Sequence, residues 1–258
     1  MAYEFCDIKR EDHLLTITIN RPERMNALHT PANEELSRVF DDFAADSELW
    51  VAIITGAGEK AFSAGNDLKW QAEGNEVRMP EKGFAGLTAR YDLNKPVIAA
   101  VNGVAMGGGF EIALACDLIV ASEKALFALP EPRVGLAALA GGMHRLPRQI
   151  PMKQAMGMLL TGRHVSAAEG QKLGFVNEVM APDVLMEAAR RWADEIMACS
   201  PMSIWATKES VYGGLDEPTL ESAVAKPYDA VRALFKSDDA REGPRAFAEK
   251  RAPRWQGH

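Results

Sequence analysis

The chain has no run of five basic residues, no long unbroken apolar stretch and only three cysteines in 258 residues. Without a basic run, and with a formal net charge of −7, nucleic acid is excluded as the expected partner. The most apolar stretches, VIAAVNGVAMGGG and EIALACDLIVAS, are broken by glycines and charges well short of the roughly 20 residues a membrane helix needs. The opening MAYEFCDIKRED carries acids where a secretory leader has bases and an apolar core. Cys6, Cys116 and Cys199 are odd in number, far apart and without a Cys-x-x-Cys spacing. That excludes a disulfide frame and a cysteine zinc site, and it points to a reducing cytoplasm. The five histidines form no His-Glu-x-x-His pair, and His144 is expected to be structural or on the surface. AFSAG lacks the first glycine of a nucleophile elbow, so a serine hydrolase is not expected either.

The composition that is present, 47% hydrophobic and 25% charged, fits a single sizeable core or a core with a smaller appendage. LLTITIN alternates like a strand, and RPERMNALHTP turns the chain into a helix, ANEELSRVFDDFAAD. VAIITGAG and KPVIAAVNG read as further strands, and a glycine-led helix is predicted over about 107–116. Strand, turn and helix recur with short crossovers but dissimilar turns, which favours an α/β fold over a solenoid. Residues 71–88, QAEGNEVRMPEKGFAGLT, are rich in glycine, proline and charge and read as a mobile loop beside Trp70. From about residue 151 the chain becomes helical, through PMKQAMGMLLTG, SAAEGQKLG and DVLMEAARRWADEIMACS, with two more helical stretches to the end. The apolar residues at helical spacing in this last part suit either a self-association surface or a cap on the chain's own core.

Three consecutive glycines opening a helix, GGGFEI, pose the chemical question. A helix start offers free N–H groups, yet GGGFEI has neither the Lys-Ser/Thr of a phosphate loop nor a dinucleotide glycine spacing. Glu111 in the first turn would also repel a phosphate. Close helix–strand packing is one use of the glycines. An oxyanion hole is another, in which one N–H is aimed at a carbonyl oxygen that gains charge during reaction. A second donor could come from the small-residue turn in AFSAGND, at the end of a strand, where open sheets place ligands. Glu111 lies in an apolar segment, and Glu131 is stiffly held between two prolines in ALPEPRVG. Singly, each suits a helix-dipole or solvated turn position. Together, beside two oxyanion donors, they suit a general acid and a general base around an activated carbonyl.

In order along nearly the whole chain stand RPERMNAL, VAIITGAGEKAFSAGNDL, KPVIAAVNGVAMGGGFEIALACDLIVAS, FALPEPRVGL, TGRHVSAAEGQKLGFVNEV and EGPRAFAEKR. This succession resembles the crotonase (enoyl-CoA hydratase/isomerase) superfamily. GFAGLT, NKPVIAAVNG, GGGFE and GPRAFAEKRAPRW are most similar to its crotonobetainyl-CoA hydratase (carnitinyl-CoA dehydratase) branch. The resemblance implies a spiral of β-β-α units with two sheets at an angle and a helical trimerisation region. The core would span 1–195 and the oligomerisation region 196–258, in a homotrimer or dimer of trimers. It implies an oxyanion hole from the N–H groups of Asn66 and Gly108, with Glu111 and Glu131 as the hydratase pair. CoA or substrate contacts would fall on Arg24, Ala27, Ala64, Leu68, Pro130, Phe247 and Lys250. Reversible hydration of a 2-enoyl-CoA thioester follows, with no metal and no separate cofactor. The family also contains isomerases, and a non-catalytic acyl-CoA binder would carry much of the same sequence. After PRVGL this chain runs AALAGG, small-sided and apolar, where many hydratases have a proline followed by a small or acidic residue.

Overall fold

A computed structural model describes residues 3–258. Its first strands are β1 (Cys6–Glu11), β2 (Leu14–Ile19), β3 (Val51–Gly56), β4 (Ala61–Ser63) and β5 (Val97–Val101). They are followed by β6 (Val104–Met106), β7 (Leu118–Ser122), β8 (Leu126–Ala128), β9 (Val165–Ser166) and β10 (Glu178–Met180). The helices begin with α1 (Thr30–Ala45), α2 (Leu68–Ala72), α3 (Gly108–Ala115), α4 (Gly142–Gln149), α5 (Met152–Thr161) and α6 (Ala167–Leu173). The C-terminal set is α7 (Leu185–Met197), α8 (Pro201–Leu215), α9 (Leu220–Ala225), α10 (Asp229–Leu234) and α11 (Asp239–Glu249).

The strands divide between a six-stranded sheet, β1-β2-β3-β5-β7-β10, and a four-stranded one, β4-β6-β8-β9. Each turn of the chain gives one strand to the large sheet, one to the small sheet and then a helix: β3, β4, α2; β5, β6, α3; β7, β8, α4. This is the expected spiral of β-β-α units. Strand β3 is buried along its whole length, so VAIITG is a continuous apolar run rather than an alternation. Its side chains still divide between two cores. Val51 and Ile53 meet Ala188, Ala189 and Ala193 of α7, whose short side chains let the helix lie close to the sheet. Ala52 and Ile54 face the larger core with Phe40, Phe43, Phe62, Phe110 and Phe127.

Two expectations are corrected here. Residues 84–88 are not a mobile loop: all five are buried, and Phe84 and Ala85 belong to the main core. Their glycines serve tight packing, since a Cβ on Gly86 would lie 2.2 Å from the Ser37 Cα. After α7 there are four helices rather than two. No helix among the described residues is long and apolar enough to cross a membrane. All three cysteines are free, Cys6 and Cys116 buried and Cys199 exposed.

Candidate active site

Strands β4, β6 and β8 run parallel, with Ser63 opposite Ala105 and Met106 opposite Ala128. Their C-terminal ends therefore meet at one edge of the small sheet, where sheets of this kind collect ligands. The chain leaves β4 through 64–67, β6 through Gly107 into α3, and β8 through Leu129 and Pro130 to Glu131. Three separate turns of the spiral thus bring Asn66, Gly108, Glu111 and Glu131 to one place.

The first two exits touch. A Cβ on Gly65 would lie 2.7 Å from the Met106 carbonyl oxygen and 2.8 Å from the Gly108 nitrogen, and Gly65 has φ +84°. Only glycine satisfies both conditions. Leu28 donates its N–H to the Gly65 oxygen at 2.8 Å and accepts from the Asp67 N–H at 3.0 Å. In this parallel bridge Leu28 uses both of its backbone groups, so the Asn66 N–H points to the opposite side. Gly108 opens α3, where an N–H has no acceptor within its own helix. Among the described residues, neither the Asn66 nor the Gly108 N–H donates to a protein acceptor.

The three glycines divide their labour. Gly107 takes φ +52°, and a Cβ there would lie 2.9 Å from Oε1 of Glu131. A Cβ on Gly108 would meet the Phe84 ring at 2.6 Å, so that ring stacks against the helix start. On Gly109 it would meet the Ser63 carbonyl oxygen at 2.0 Å, which is close helix–strand packing. Packing and a free donor are both served by one triplet.

Glu111 is 3% exposed, and its Oε1 accepts the Gly142 N–H at 2.8 Å. Burial pushes its carboxyl up to about 7, against the opposing Gly142 hydrogen bond, and the charge of Glu131 raises it further. Glu131 opens a short 3-10 turn, Glu131–Val134, that is stiffened by prolines on both sides. Its carboxyl is also raised, by burial, and its Oε2 is buried without a hydrogen-bond partner among the described residues. Two carboxyls whose proton affinity is raised by burial, next to two free N–H donors, can exchange protons with a polarised carbonyl compound. Among the described residues no three His, Cys, Asp or Glu side chains gather as a metal site requires.

Other residues singled out from the sequence are placed unevenly. Arg24 is half-buried, and the Ala27 carbonyl accepts from Arg21 Nη1. The Ala64 N–H donates to Met25 at 2.9 Å, and Leu68 is exposed at the start of α2 beside Asn66. Pro130 is packed against Gly162, where a Cβ would lie 2.8 Å from its Cα. Phe247 and Lys250 are not brought to this edge. Both are exposed at the end of α11. That helix is tied instead to the start of α8 by Asp239, which accepts from Ser200 Oγ at 2.8 Å and from the Gln256 N–H at 2.8 Å.

Sequence reasoning missed Arg21, Asn26 and Asp67. Asn26 is fully buried at φ +54°, and its side chain donates to the carbonyls of Ala57 and Ala61 and accepts from the Arg21 N–H. The RPERMNAL segment is thus the floor beneath the AFSAGND turn. The available signal was an asparagine, the residue most tolerant of left-handed backbone after glycine, two positions past a Pro-led turn.

The family described as enoyl-CoA hydratase/isomerase matches residues 9–258. A carnitinyl-CoA dehydratase of Salmonella typhi is 46% identical over 263 residues, covering 98% of this chain and 99% of that protein. The same identity holds with a carnitinyl-CoA dehydratase of Proteus mirabilis over 253 residues, 95% of each chain. Among solved structures, the enoyl-CoA hydratase EchA1 of Mycobacterium marinum superposes with a TM-score of 0.92 at 41% identity, covering 98% of this chain and 99% of that one. A carnitinyl-CoA dehydratase of Mycobacterium avium superposes with a TM-score of 0.79 at 41% identity, covering 99% and 100%.

Proposed function

The chain belongs to the enoyl-CoA hydratase/isomerase family, and on that footing we propose that it is a hydro-lyase adding water reversibly to a 2-enoyl-CoA thioester. The observation that carries the reading is the meeting of two carboxyls that burial pushes upward, the buried Glu111 and the half-buried Glu131, with the free N–H groups of Asn66 and Gly108. Members that lack one carboxyl have no such pair to move two protons.

The thioester oxygen accepts from the Asn66 and Gly108 N–H groups, which stabilise the negative charge it gains. Ionised Glu111, held by Gly142, orients a water and takes one of its protons as the oxygen bonds to Cβ. Electrons of the double bond move toward the thioester oxygen, giving an enolate. Protonated Glu131 delivers its proton to Cα, and the 3-hydroxyacyl thioester leaves. One proton has passed from water to Glu111 and another from Glu131 to carbon, so the pair resets by exchanging a proton. Because both serve one addition of water, their roles are coupled more than divided.

The CoA moiety is substrate, and no separate cofactor is invoked. Residues 1–195 carry the reaction, and 196–258 form the self-association region of a homotrimer or dimer of trimers. The exposed Val211, Leu215, Leu220, Val224 and Phe235 support that region. Phe247 and Lys250, exposed at the end of α11, then serve a neighbour's CoA. Three free cysteines fit a cytoplasmic protein.

A second reading narrows the first. The curated relatives named above are carnitinyl-CoA dehydratases, so the acyl group can carry a trimethylammonium. The test is a panel of 2-enoyl-CoA thioesters that includes crotonobetainyl-CoA, followed by loss of conjugated-thioester absorbance. Product analysis on 3-enoyl thioesters separates hydration from double-bond migration. Tight CoA binding without turnover on every member would leave a binder and refute the proposal.

A further inference from the structure

We propose that Arg21 and Asp67, a buried ion pair outside the reacting groups, are the positioning residues that aim the Asn66 N–H into the oxyanion hole. The inference rests on the hydratase reading of the Asn66–Gly108 pair.

Asp67 directly follows Asn66 and is tied down at four atoms. Its N–H donates to Leu28 at 3.0 Å, and its Oδ1 accepts the Trp70 N–H at 3.1 Å as the cap of α2. Its Oδ2 lies 3.1 Å from Arg21 Nη2. Its carbonyl accepts the Gln71 N–H at 3.0 Å. Arg21 reaches across with its other terminal nitrogen to the Ala27 carbonyl, and its N–H donates to Asn26 Oδ1 at 3.0 Å. One guanidinium therefore joins the two chain segments that bracket Asn66: the segment ending at Leu28, which grips Gly65 and Asp67, and the carboxylate of Asp67 itself. The guanidinium hydrogen-bonds the Ala27 carbonyl while its charge is ion-paired with the Asp67 carboxylate, so one planar cation serves both segments.

Energetics favour positioning over stabilisation as the reason for the pair. Both side chains are about nine-tenths or more buried. Taking two charges out of water roughly cancels their attraction, so a buried pair is a poor source of net stability. It is a good source of geometry. Electrostatics adds a second reason. Asp67 carries its negative charge one residue from the donor of a hole in which another negative charge develops. Arg21 neutralises the first so that it does not oppose the second. His29, edge-on to Trp70 and Phe5 at the start of α1, lies close by with its carboxyl-seeking charge suppressed, since burial and the Arg21 charge lower its pKa. The Arg21 guanidinium is thus the cation paired with Asp67, and the Arg24 charge adds a weaker contribution from the same segment.

Asp67→Asn tests this, because asparagine keeps the cap to Trp70 and removes the charge. The expected outcome is a kcat lower by roughly 10- to 100-fold with KM changed by less than about 3-fold, the signature of a contact that matters in the transition state only. A spectroscopic readout separates aiming from general loosening. A cinnamoyl-CoA thioester absorbs further to the red as its carbonyl is polarised, so the shift on binding should fall to less than half that of the unaltered enzyme. A folded Asp67→Asn protein with undiminished kcat and shift would overturn the inference alone. An unaltered enzyme that binds the probe without a red shift would overturn the oxyanion reading as well. If Asp67→Asn does not fold, the double variant Arg21→Met/Asp67→Asn removes both charges together and carries the same expectations. Should that also fail to fold, the pair serves folding and the proposal is wrong.

Discussion

Replacing Glu111 by glutamine should make the protein more stable and far less active, and both effects can be sized. The Glu111 carboxyl sits at about 7 in the fold, against an ordinary 4.5. A raised value means that the folded state keeps a proton the unfolded chain has released. Stability from this group is therefore complete below pH ~4.5, and it declines as pH rises to about 7. The span of about 2.5 units, at 1.36 kcal/mol each, gives a loss of about 3 kcal/mol at pH 8. Glu111 is 3% exposed, so solvent does not screen this. Glutamine keeps an oxygen for the Gly142 N–H and cannot ionise. The variant should gain about 2–3 kcal/mol at pH 8, or about 5–10 °C in Tm, and be level with the parent near pH 4.5. Urea unfolding at pH 5 and pH 8, at one protein concentration, reads the difference. Hydration in the same samples should fall by about 10²–10⁴ in kcat. A variant less stable than its parent at pH 8, or a stability difference that does not grow with pH, would refute the assignment of a buried base whose proton affinity is raised by the fold.

Hydration kcat/KM should rise through an apparent pKa of about 7 as Glu111 ionises, and that limb should vanish in Glu111→Gln; a flat profile from pH 5 to 9 would contradict it. Glu131→Gln should also cost about 10²–10⁴ in kcat, and the double variant should lose much less than the product of the single losses, as steady-state kinetics will show. Gly107→Ala should lose at least about 10-fold in kcat, since it adds roughly 1–2 kcal/mol of left-handed strain and drives a methyl into the Glu131 carboxyl. Lys250→Ala should raise KM for CoA thioesters, most at low salt, and leave kcat nearly intact; sedimentation showing a fully active monomer would exclude a neighbour's contribution.

How far the sequence spoke depended on how long each signal was. VAIITG and KPVIAAV announced strands because both are long apolar runs, and they became β3 and β5. Strands β4, β6 and β8 are three residues each, too short for any period to register, so the small sheet that gathers the site was not legible. Glu111 and Glu131 stood out because a carboxylate in an apolar or proline-stiffened setting is costly. Arg21 and Asp67 did not, because charged residues in loops are mostly solvated and only tertiary structure shows these two buried. FAGLT was misjudged by composition. Gly83 and Gly86 looked like flexibility, but they fold the chain so that Phe84 covers Gly108.

Both donors of the proposed oxyanion hole belong to the main chain, whereas the proposed acids are side chains on separate units, one in α3 and one after β8. For a duplicated gene this separation matters. Apart from proline, no point substitution deletes a backbone N–H, so the capacity to polarise a thioester survives mutations that remove a glutamate. A descendant losing Glu131 would keep an enolate-stabilising site with a single base. New chemistry can then be sampled without first losing the old means of activating substrate, and divergence of reaction type is cheaper here than in a site whose hole is itself built from side chains.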